Sequence, residues 1–82
     1  MSKITIEMIY TGDRFQGTTP IEVVREMKRS ALFEQDIADG KYKDRVAQRT
    51  KLVYGEELDT ASARQFLKSL ERAGLIQYME ER

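Results

Sequence analysis

Alternating apolar residues at both ends of this chain restrict its fold more than any other feature. In KITIEMIY, residues 3–10, Ile4, Ile6, Met8 and Tyr10 alternate with Lys3, Thr5, Glu7 and Ile9. A period of two with β-branched residues describes a strand with one buried face. LIQYME, residues 75–80, alternates in the same way. A lone strand is unstable in water, so the two are expected to pair and to rest on whatever lies between them.

The intervening chain has the period of helices. TPIE places Thr19 as an N-cap, Pro20 at the first helical position and Glu22 as the return arm of a capping box. The helix then runs from Pro20 to about Gln35, turning Ile21, Val24, Met27 and Ala31 inward with help from Val23 and Leu32. A break over residues 36–40 leads into a second helix beginning at Asp39 or Gly40 and ending at Gly55. Tyr42, Val46, Thr50 and Val53 form its inner face. Residues 51–54, Lys-Leu-Val-Tyr, also suit a short strand, and helix is the preferred assignment. Asp59 or Thr60 starts a third helix with Ala63, Phe66, Leu67, Leu70 and Ala73 on its apolar face. Gly74 sits where a left-handed residue closes a helix, and Leu75 can fold back on Leu70. The expectation is a single α+β domain over residues 1–82, ordered βαααβ, with a two-stranded sheet.

Composition removes several chemistries. There is no cysteine and no histidine, so Cys/His zinc sites and the usual Cys–His and Ser–His nucleophile pairs are excluded. No enzyme is expected, and no cofactor. No run of apolar residues is long enough to span a membrane, and Met1–Ser2–Lys3 leads directly into the first strand, so a cytoplasmic protein is expected. The formal net charge is zero, which argues against indiscriminate coating of nucleic acid. The charge is nevertheless uneven. Lys41, Lys43, Arg45, Arg49 and Lys51 stand against Asp44 alone, and Glu56, Glu57 and Asp59 follow.

Three short stretches invite chemical interpretation. Gly12 and Gly17 enclose four residues after a strand and before a helix, as in a phosphate-binding loop. Such a loop needs a lysine after its second glycine, and Thr18 stands there. A turn into the first helix is therefore expected, with a weak anion site at Arg14, Thr18 and Thr19 beside the helix N-terminus. Phe15 within this turn either tucks onto the core or makes an exposed contact. Around Gly40, a calcium loop would need ligands at Ile37 and Val46, which have none to offer, so an acidic turn is expected instead. Glu56, Glu57 and Asp59 suit the approach to a helix N-terminus better than acid–base chemistry.

The segment LKSLERAGLI, residues 67–76, resembles the end of the recognition helix in winged-helix and other helix-turn-helix regulators. The resemblance implies that Leu67 and Leu70 pack inward, Gly74 ends the helix and Leu75–Ile76 enter a wing. The link from Gly55 to Asp59 is longer and more acidic than the short turn of that family. Charge spacing adds to this. Lys41, Arg45 and Arg49 recur every fourth residue on the second helix, and Arg64, Lys68 and Arg72 do so on the third, with Gln65 alongside. Such stripes can neutralise phosphates while Gln and Arg reach base edges, although outward helix faces are commonly charged. The leading expectation is a non-catalytic interaction module that binds another protein or a second copy of itself through an exposed strand edge. Helix-turn-helix-like nucleic-acid binding through the two stripes is the alternative.

Overall fold

A computed structural model of the chain describes residues 3–31 and 36–79. The elements are β1 (Ile4–Met8), β2 (Arg14–Gly17), α1 (Pro20–Ser30), α2 (Asp39–Tyr54), α3 (Ala63–Arg72) and β3 (Ile76–Tyr78). They form a three-stranded antiparallel sheet in the order β2-β1-β3 with three helices, an α+β arrangement.

The end strands do pair, Ile6 with Tyr78 and Met8 with Ile76. The expected two-stranded sheet is incomplete, because part of the expected turn is itself a strand. Ile4 pairs with Gly17, Ile6 with Phe15 and Glu7 with Arg14. The hairpin closes through Gly12, at φ 79°, whose N–H donates to the Met8 carbonyl (2.8 Å), while the Met8 N–H donates to the Asp13 carbonyl (2.8 Å). That left-handed conformation suits glycine. β2 alternates like its neighbour, with Phe15 packed against the core and Arg14 and Gln16 exposed. On the polar face, Glu7 accepts from Arg14 Nε (3.4 Å) and Gln77 Nε2 (2.6 Å), so one carboxylate ties all three strands together. β1 ends at Met8, and Tyr10, expected on the inner face, lies beyond it and is exposed.

α1 begins as its sequence predicts, with Thr19 Oγ1 accepting from the Glu22 N–H and Pro20 in the first turn. The Glu22 carboxylate returns one residue earlier than expected, accepting from the Thr18 N–H (2.7 Å) and hydroxyl. Those bonds, the hydroxyl's first, hold it below its ordinary value of 4.5. The helix ends at Ser30, shorter than expected; Leu32 and Gln35 lie outside the described residues. Val23, Val24 and Met27 are buried, and Ile21 only half so.

Residues 51–54 are helical, and Gly55 closes α2 at φ 71° with its N–H on the Lys51 carbonyl. Ser62, rather than Asp59 or Thr60, caps α3 by accepting from the Gln65 N–H (3.2 Å). Asp59 instead accepts from the Ala61 N–H within the preceding loop. The end of α3 matches its sequence closely. Gly74 adopts φ 80° and donates to the Glu71 carbonyl, and Leu75 donates to the Leu70 carbonyl. This is the paired closure of a Schellman motif. The core consists of Ile6, Val23, Val24, Met27, Tyr42, Phe66, Leu67, Leu70, Leu75 and Ile76.

One ionic cluster ties α2 to α1. Lys28 Nζ donates to Asp39 Oδ1 (2.7 Å) and the Ile37 carbonyl (2.8 Å), and Arg25 Nε donates to Asp39 Oδ2 (3.0 Å). The Lys28 and Arg25 hydrogen bonds hold the Asp39 carboxyl below its ordinary value of 3.8. A carboxyl depressed on folding stabilises the fold above its unfolded value, and that contribution disappears as pH falls through the folded one. Asp39→Asn is therefore expected to destabilise by about 1 kcal/mol at pH 7, since the cluster is partly solvated. Urea titrations of both chains should converge as the pH drops below 3.8. A gap independent of pH would show that the charge on Asp39 does not matter.

Candidate interaction surface

α2 packs on α1, and Tyr42 in its first turn and Thr50 further along it are buried. Its last turn runs past the end of the core. Leu52 is 86% exposed, Val53 71% and Tyr54 49%. Val53, expected on the inner face, is instead largely exposed, at the rim of an open cleft rather than against a packed layer. Three consecutive apolar residues point about 200° around a helix, more than one packing partner can cover.

The hairpin meets this turn from the other side. Tyr10, 70% exposed, stacks on Tyr54 with ring centres 5.8 Å apart and planes 14° from parallel. Ile9, beside it, is 47% exposed. The Tyr10–Tyr54 stack joins Val53 and Tyr54 to the exposed residues of the hairpin, while Leu52 turns toward Gln48 and Lys51 on the neighbouring face of α2. Beneath the stack a cleft of about 300 Å³ opens between α2 and the hairpin, with Met8, Met27, Val46, Leu70 and Leu75 among its lining. Contiguous exposed apolar residues on a folded domain mark interaction sites when the patch is large.

Charge changes sign along the sequence at this turn. Lys41, Arg45 and Lys51 precede it on α2 and are exposed, and Arg49 lies in the cleft wall. Glu56 and Glu57 follow it directly and are also exposed. Lys51 Nζ and Glu57 Oε1 lie 3.1 Å apart, and both side chains are largely solvated.

The other expected site residues lie elsewhere. Arg64, Gln65, Lys68 and Arg72 occupy the exposed face of α3, and Lys68 Nζ sits 5.4 Å from the centre of the Tyr78 ring. Burial, more than the nearby Glu71 charge, raises the Tyr78 phenol above its ordinary value of 10.0. Residues 55–62 separate α2 from α3, and α3 packs chiefly on α1 and β3. The Asp59 N–H donates to the buried Ser69 hydroxyl (3.1 Å), which holds this connection on α3. Arg14, Thr18 and Thr19 do not converge on a shared point. Arg14 pairs with Glu7, Thr18 donates to Glu22, and Thr19 caps the helix, so the exposed donors expected there have internal acceptors. Among the described residues no group of His, Cys, Asp and Glu could hold a metal, and no helix is long and apolar enough to cross a membrane.

Sequence periodicity placed Tyr10 and Val53 inward and so missed this surface. The available signal was the run Leu52–Val53–Tyr54 directly before a helix-ending glycine. No protein-family model matches the chain, and no curated protein or solved structure matches it either.

Proposed function

We propose that this chain is a small, non-catalytic interaction module that binds protein through the apolar surface joined by Tyr10 and Tyr54. The observation that carries this is the protruding last turn of α2, where Leu52 and Val53 meet water with nothing in the fold to cover them. Edge pairing supports binding less well, because the outer strands are only four and three residues long and present few backbone groups. Nucleic-acid contact through Arg64, Gln65, Lys68 and Arg72 is the second reading, favoured by their shared exposed face on α3, with Lys41, Arg45 and Arg49 as the second stripe.

Site-specific photocrosslinking in cells separates the two. A photoreactive side chain at Leu52 is expected to give discrete protein adducts, and one at Gln16 on the polar sheet face none. Nucleic-acid adducts from position 68, with silence at position 52, would replace the first reading by the second.

A further inference from the structure

We infer that the cleft beneath the Tyr10–Tyr54 stack receives an aromatic side chain of the partner protein, carried on a segment whose acidic neighbours meet Arg49. This rests on the protein-binding reading and names the chemistry of its partner.

Size and lining select the anchor. The cleft holds about 300 Å³ and is open to solvent on one side. That volume is at the small end for a complete ligand and suits a single large side chain. Met27, Leu70 and Leu75 are buried and form its floor, and half-buried Met8 and Val46 stand above them. Thioethers make favourable contacts at the edges of rings, and unbranched methionine adapts to their shape. Two methionines from different elements therefore favour a flat ring over a branched aliphatic group. Tyr10 and Tyr54 also line the cleft, so an entering ring can stack on them or meet them edge-on.

Charge selects the anchor's neighbours. Among the described residues lining the cleft, only Arg49 is charged. Arg45 lies one turn earlier on the same side of α2 and Lys41 one turn before that, and all three are exposed. Two nearby acids stand apart from the cleft. Glu57 lies against Lys51 beside Ala47 and Gln48, and Asp13 lines a separate depression. Arg49 also has an interaction within its own chain. Its guanidinium carries five N–H donors, so it can donate to a carboxylate of the partner as well.

The rim selects a protein over a free small molecule. Tyr10 and Val53 are largely exposed beside the cleft. A ligand confined to the cleft would leave them in water. A polypeptide covers them with its flanking residues while its aromatic side chain fills the space below.

Amide NMR of the isotope-labelled full chain tests this with three capped pentapeptides, Glu-Glu-Phe-Glu-Glu, Lys-Lys-Phe-Lys-Lys and Glu-Glu-Ala-Glu-Glu. A single anchor binds weakly, so the first is expected to move the amides of Val46, Thr50 and Leu75 with a dissociation constant on the order of 1 mM. The lysine peptide should bind about fivefold more weakly, and Arg49→Gln should remove most of that difference. The alanine peptide should leave these amides unmoved. Val46→Trp, which fills the cleft, should abolish the response, its dispersed spectrum confirming the fold. Arg49→Gln changes an exposed residue and keeps the test decisive if Val46→Trp does not fold. Amides unmoved by Glu-Glu-Phe-Glu-Glu overturn the inference, as does equal binding of the lysine peptide. Phenylpropionate binding as tightly as that peptide would assign the cleft to a free aromatic acid and overturn the partner's side chain. Protein adducts at position 52 with an unmoved cleft remove the anchor and leave the protein-binding reading. Silence at position 52 removes that reading, and the anchor with it.

Discussion

Replacing Phe66 with alanine is expected to destabilise the protein by about 3–5 kcal/mol, the largest effect of any single truncation proposed for this chain. Phe66 is fully buried and heads the largest enclosed side chains, which include Ile6, Leu67 and Leu70. It projects from the apolar face of α3, which packs on α1 and β3, so the void would open where helix and sheet meet. The lost transfer energy and the cavity act together, because neighbouring helices anchored by caps collapse only partly into the space. Domains of this length are stable by roughly 4–12 kcal/mol, so the loss takes between about a quarter of that stability and all of it. Urea unfolding followed by circular dichroism measures this, with Phe66→Leu as the control that keeps most of the volume. A loss below about 1 kcal/mol would mean that the site repacks freely and is not a fixed part of the core.

Gly17→Ala is expected to rank next, at about 2–3 kcal/mol, through crowding rather than torsional strain. A methyl group there would lie 2.6 Å from Glu22 Cβ, 3.1 Å from the Val23 nitrogen and 3.2 Å from the Glu22 carbonyl carbon. These atoms belong to the first turn of α1 and cannot swing aside as a side-chain tip would. Pushing the helix back would also disturb the Thr18–Glu22 bonds at its start. Gly12→Ala makes the informative comparison. Gly12 has open space around it but a φ of 79°, so its alanine carries only the left-handed backbone penalty, about 1–2 kcal/mol. Thermal or urea denaturation of the two variants should place Gly17→Ala below Gly12→Ala. The reverse order would mean that β2 and α1 separate more readily than their close approach indicates.

These two glycines show how far the sequence could be read. Their spacing suggests a phosphate loop, and the missing lysine already argued against one. Why glycine stands at position 17 was not legible, because it depends on β2 approaching the start of α1. β2 itself was hidden for a related reason: four residues with one large apolar side chain give too little alternation to separate a strand from a turn. The local signals fared better. Thr19 with Pro20, and Gly74 with Leu75, act within a few residues of themselves, and their bonds form largely as the sequence predicts. Ser62 was missed as a cap because Asp59 and Thr60 offered equally good chemistry nearby, and only the packing of α3 decided among them.

The sequence by itself determined the helices, most of their ends, the pairing of the terminal strands, and the exclusion of Cys- and His-based chemistry. All of these follow from local periodicity, local hydrogen bonding or the simple absence of a ligand. Tertiary structure alone decided that a third strand completes the sheet, that α2 outruns the core, and that Tyr10 stacks on Tyr54 above an open cleft. An apolar residue carries the same hydropathy whether a layer covers it or not. Leu52 and Val53 became surface only because nothing in the described fold packs tightly against them.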